Sequence, residues 1–193
     1  MQLLLEAAES GFAPVPLIAL LSHPLTRARL APGECRKQAR ALERKLLRGP
    51  RLQSGLDALL EQTPPELRPF VEGLRACLRP LEMAFIRKEA LPLADWLQLH
   101  IEAAESLATS DSESGAAQLW AKEAGRALSA LLANWKEAAI HLPPLGPRDY
   151  PALFAALLSN EAVRLVGRAH PRLQILSPLE ARLSQVDFAI LDR

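Results

Sequence analysis

Cations are the residues here best suited to a chemical task. Arg36, Lys37, Arg40, Arg44 and Arg48 fall in one stretch, and Arg36, Arg40 and Arg44 recur every four residues. On a helix that spacing puts three guanidinium groups on one face, with Lys37 and Arg48 close to it. Such a row can follow a phosphate backbone, and binding through it weakens as salt rises. The same row also suits a solvated face whose long stems lie over apolar neighbours. No aromatic residue interleaves with these cations, which argues against a platform for stacking single-stranded bases. Arg27, Arg29, Lys45 and Arg51 widen the basic region, where Glu34 and Glu43 are the only acids.

Other chemistry finds little support. His23, His100, His141 and His170 are far apart, and none has a second ligand at metal spacing. His100 and His141 are expected at helix surfaces or ends. Cys35 and Cys77 each stand alone on a predicted helix and read as buried thiols, outside any disulfide or zinc framework. The scattered glycines make no phosphate-cradling loop, and no nucleophile elbow is present. Glu102 and Glu105 are spaced for a solvated helix face. No catalytic residue, metal site or cofactor is therefore assigned.

The elements that would carry these residues read mostly as helices. Leu and Ala dominate, aromatics make up 5%, and the chain is 193 residues long, enough for one domain with a core. Net charge is only +1, so the chain as a whole does not attract nucleic acid. Leu3 to Ala8 looks helical without a capping residue before it, and Gly11 ends it. Pro14 or Pro16 opens a short apolar helix to Leu21, and Ser22 to Leu25 makes a turn. Pro32-Gly33-Glu34 starts the basic amphipathic helix, which runs to about Arg48 and stops at Gly49-Pro50. Leu56 to Gln62 forms another short helix. Thr63 caps the next one, with Glu66 at its third position, and this helix runs towards Arg87 with bends at Pro69 and Pro80.

Leu91-Pro92-Leu93 opens a helix carrying Trp96, Leu97, Leu99, Ile101 and Ala104. Ala116 to His141 is the longest helical pattern, with Leu119, Trp120, Leu128, Leu131, Leu132 and Trp135 as its buried stripe. Asp149 to Leu158 adds one more. After that the pattern changes: His170 to Leu176 reads as a strand, Ser177 to Leu183 as a short helix, and Asp187 to Leu191 as a second strand. The apolar run from Phe188 to Leu191 suits a strand covered on both faces. The expected fold is mainly α: a multi-helix subdomain over residues 1–160 and a strand–helix–strand of an incomplete α/β core over 161–193. No apolar run reaches the ~18 residues that span a membrane, and the acidic N-terminus is unlike a signal peptide. Both point to the cytoplasm.

Several segments together resemble a known family. They are Leu20-Leu21-Ser22-His23-Pro24-Leu25, Arg40-Ala41-Leu42-Glu43 with Leu47-Arg48-Gly49-Pro50, and Pro92-Leu93-Ala94-Asp95-Trp96-Leu97. Gly115 to Trp120, Asp149 to Leu158 and His170 to Leu183 continue the series. In this order they resemble the B subunit of the AddAB-type helicase–nuclease of alphaproteobacteria, which resects double-strand breaks before recombination. The resemblance implies an internal fragment: the helical insertion of a superfamily 1 helicase-like core and the first return into that core. It implies DNA and an AddA-type subunit as partners, and an ATP-dependent parent enzyme. The family's nucleotide-site and nuclease motifs have no counterpart here, and Pro178-Leu179-Glu180-Ala181-Arg182 lacks the Thr-His-Lys pattern of active helicases. The expectation is a non-catalytic piece that guides DNA, with a free-standing helical protein–protein adaptor as the alternative.

Overall fold

The computed structural model describes residues 1–49 and 53–159, and in the C-terminal segment residues 176, 177, 179–183, 185, 187, 188 and 190. The chain divides into two units, residues 1–163 and 164–193. The first is helical, as expected. It opens with α1 (Gln2–Glu9), α2 (Pro14–Ser22) and α3 (Pro32–Leu42). Both α2 and α3 have proline in the first turn, where its fixed φ fits and its missing N–H has no partner to lose. Gly11 turns the chain between α1 and α2 at φ +64°, and a Cβ there would collide with Ser54 Oγ. Then come α4 (Leu56–Gln62), a 3-10 turn (Pro65–Leu67) and α5 (Arg68–Arg87). α6 (Leu93–Ala108), α7 (Gly115–Leu119), α8 (Glu123–Ala138) and α9 (Asp149–Ser159) complete the unit.

Packing of α1, α4 and α6 against α5 makes the centre of the core, with α2 and α9 against α1. The densest cluster is aromatic. Trp96 stacks on Tyr150 with ring centroids 5.0 Å apart, Phe85 meets Trp96 edge-on at 5.3 Å, and Trp135 meets Phe154 at 5.6 Å. The indole N–H of Trp96 donates to the Leu145 carbonyl at 2.9 Å. Leu145 also pairs with Leu91 in an isolated antiparallel bridge, which holds the loop before α9 against the start of α6. Among the described residues one carboxylate is buried: Glu82 on α5 accepts from the first N–H of α4, Leu56, at 2.6 Å, and from Arg79 at 2.7 Å. It caps a helix that lacks a capping side chain of its own.

Three local expectations are corrected. His100 is not at a helix surface or end; it is fully buried on α6, bonded to the Tyr150 hydroxyl at 2.9 Å and the Met1 carbonyl at 3.1 Å. Desolvation pushes its pKa down to about 3, so it is a neutral core residue. Thr63 does not cap the helix ahead of it: its hydroxyl donates back to the Leu59 carbonyl at 2.6 Å, and Glu66 pairs with Lys45 instead. The long pattern from Ala116 to His141 breaks into α7, α8 and a 3-10 turn (Ala139–His141). The break lets α7 and the start of α8 press close to their neighbours. A Cβ on Gly115 would run into the Glu105 carbonyl of α6, and one on Gly125 into the Leu119 carbonyl. Within the expected stripe only Leu132 is buried, while Leu128, Leu131 and Trp135 are half-buried.

The strand–helix–strand is not seen in the second unit. Residues 170–175 of its first expected strand lie outside the described residues. Its helix is a single 3-10 turn, Glu180–Leu183. The Glu180 carboxylate accepts from the Ser177 N–H at 2.8 Å, and the Ser177 hydroxyl accepts from the Glu180 N–H at 3.4 Å, a reciprocal capping box. Asp187, Phe188 and Ile190 of the second expected strand are not in strand conformation, and Phe188 and Ile190 are 82% and 85% exposed. A strand needs a neighbouring ladder to satisfy its N–H and C=O groups, and none forms among the described residues. No helix among the described residues is long and apolar enough to cross a membrane.

Candidate nucleic-acid interface

Cys35, Ala39 and Leu42 form the inward stripe of α3, spaced four and three residues apart, and turn the charged positions outward. The helix packs on α2 and on the 3-10 turn Pro65–Leu67. Arg36, Lys37, Arg40, Arg44 and Arg48 are all exposed. Together with Gly33 and Glu43 they line one open groove of about 640 Å³. The structure thus brings all five expected cations onto one surface. A narrower slot of about 100 Å³ between α2 and α3, lined by Ile18, Leu21 and Ala39, opens beside Arg36 and Arg40.

The helix does not run unbroken to Arg48. Residues Glu43–Leu47 form a π turn, in which the Arg48 N–H donates to the Glu43 carbonyl five residues back at 3.0 Å. The hydrophobic pattern shows why both windings suit this sequence. Leu46 lies four residues after Leu42 and Leu47 lies five after it; in the π turn Leu47 takes the buried place and Leu46 is half-buried. Four α-helical residues overshoot a full turn by ~40°, so an unbroken α-helix would let the arginine row drift round its axis. The wider winding of the π turn opposes that drift, and Arg40, Arg44 and Arg48 line the same groove.

The five cations differ in what holds them. Arg48 donates through Nε and a terminal nitrogen to Glu43 Oε1, at 3.0 and 2.6 Å. Lys37 lies 3.7 Å from Glu34, a loose and largely exposed pair. Arg36 Nε donates to the Pro32 carbonyl at 3.3 Å, which orients the side chain, and it forms no ion pair among the described residues. Arg40 and Arg44 form no ion pair among the described residues. Glu43 was not among the residues expected at the site, although its place five before Arg48 in a basic run is legible once the π turn is known. Arg27 is turned away to the Pro24 and Thr26 carbonyls, and Arg51 lies outside the described residues.

Cys35 lies beneath the groove, buried, with burial raising its pKa against the opposing effect of Arg27 and Arg36. Cys77 is likewise a free, buried thiol. Among the described residues no three His, Cys, Asp or Glu side chains come together to hold a metal ion. The groove can take a polyanion through exposed guanidinium forks, which suit phosphate oxygens. No family model matches the chain, and no curated protein or solved structure matches it.

Proposed function

We propose that this chain is a non-catalytic helical part of a DNA double-strand-break repair helicase–nuclease subunit, guiding DNA across the α3 face and contacting an AddA-type partner subunit. The observation that carries the DNA role is the groove: five cations on one exposed surface, three of them (Arg36, Arg40 and Arg44) in no ion pair among the described residues. The family assignment draws on the ordered series of segments from Leu20 to Leu183 and on the helical fold they would share. Binding of this kind reads the backbone and not the bases, since phosphate contacts position a protein on DNA and carry no sequence information. The test is fluorescence anisotropy with a labelled duplex of arbitrary sequence. The Arg36→Gln/Arg40→Gln/Arg44→Gln variant should bind markedly more weakly at low salt while melting at the same temperature. Equal affinity for variant and parent would reject the assignment.

A second reading, a free-standing helical adaptor with no DNA role, draws on a different surface. Ile140 is 80% exposed and Leu142, two residues on, is 45% exposed, both just after α8. A protein partner would cover such a pair, and the adaptor reading predicts that Ile140→Ser weakens partner capture while the arginine variant leaves it intact.

A further inference from the structure

The π turn does more than straighten the arginine row: it creates the pair between Glu43 and Arg48. Residues five apart on an α-helix point ~140° away from each other, so an unbroken helix would hold these two side chains on different faces. The π turn brings position 48 closer round to position 43, and Arg48 donates two hydrogen bonds to one carboxylate oxygen. Glu43 is only half-buried and lines the groove itself. We infer that Glu43 sets how many phosphates this face engages: Arg36, Arg40 and Arg44 are the working contacts to a duplex backbone, and Glu43 withholds Arg48 from them through the π turn. This rests on the DNA reading above and refines it.

The charges around the pair support that division. Successive arginines of the row stand ~6 Å apart along the axis, a ladder suited to neighbouring phosphates of one strand. Arg48 is its last rung, exposed and lining the same groove, yet paired with Glu43. An exposed pair is held weakly, so a phosphate competes with Glu43 for Arg48 and wins only part of what a free arginine would give. Among the described residues no other acid lines the groove, and Glu34 is taken up by Lys37 and the Gln38 amide.

A double-mutant cycle on the whole chain tests this, using anisotropy on a labelled duplex over a salt series. The variants are Glu43→Gln, Arg48→Gln and both together, each checked for an unchanged melting temperature. Glu43→Gln should tighten binding roughly twofold to fivefold and steepen the log K against log salt slope by about one. Arg48→Gln alone should change affinity little, and in its background Glu43→Gln should lose most of its gain. The inference is overturned if Arg48→Gln weakens binding as much as Arg40→Gln does, or if the Glu43→Gln gain persists in full without Arg48. In both cases the parent still binds and the DNA reading stands. If neither the parent nor Glu43→Gln binds duplex at low salt, the inference and the DNA reading fall together. The Arg48→Gln comparison is decisive alone should Glu43→Gln not fold.

Discussion

The cluster around Trp96 and the outer face of α3 treat polar groups in opposite ways. Around Trp96, each polar atom in the core is answered from within the protein. The indole N–H has Leu145, both ring nitrogens of His100 have partners, and the Tyr150 hydroxyl has His100. No buried side-chain nitrogen or oxygen among the described residues lacks a hydrogen bond. On the basic face Arg36, Arg40 and Arg44 form no ion pair among the described residues, and Glu43 answers only the last of the row. Buried groups must be paired because desolvation is costly; exposed ones need not be, so an unpaired row at the surface is free to serve a ligand. Stability and binding should therefore separate cleanly between the two regions.

The largest separation is expected from Trp96→Ala. It removes the stacked ring from a fully buried position and leaves a cavity, which costs about 3–5 kcal/mol. Urea unfolding should show this loss, while the salt slope of duplex binding by the folded fraction stays the same. A slope that changed with Trp96 would mean that core and face are coupled.

Acidification gives the next effect. The pKa of His100 falls from its ordinary value of 6.5 to about 3 on folding. Between those values the unfolded chain holds a proton that the folded chain does not, so this contribution is complete above about 6.5 and is lost as pH drops towards 3. His100→Gln should flatten that part of a stability-against-pH profile, and the triple arginine variant should leave it unaltered. An unchanged profile in His100→Gln would contradict the buried, neutral assignment.

The smallest effect is expected at Lys45, which pairs with Glu66 at 2.6 Å on the surface beside the basic face. Lys45→Met should change stability by less than about 1 kcal/mol, as exposed pairs do. A larger loss in thermal melts would show that this surface is more than solvated.

Some of this was open to reading from the chain alone. Prolines in the first turns of α2 and α3 marked their starts, and the four-residue spacing of Arg36, Arg40 and Arg44 marked the face. The burial of His100 is legible in the spacing of its neighbours. The residue lies three and four residues after Leu97 and Trp96 and four before Ala104, squarely on the buried stripe of α6. The π turn was beyond pattern reading, because Leu46 and Leu47 offer the core equally good anchors at steps of four and five. Thr63 carries a capping signature for the helix after it, but its hydroxyl bonds back to the end of α4. The apolar run at Phe188 suggested a covered strand, but hydrophobicity alone cannot supply the ladder a strand requires.

One measurement bears most directly on the role assigned to the α3 face: the dependence of duplex affinity on salt for the parent chain and for Arg36→Gln/Arg40→Gln/Arg44→Gln. Each phosphate contact contributes a slope of ~0.9 in log K against log salt. The parent should therefore show a steep decline, and removing three contacts should flatten it by roughly 2 to 3 units. Parallel lines for the two proteins would contradict the account, whatever their absolute affinities.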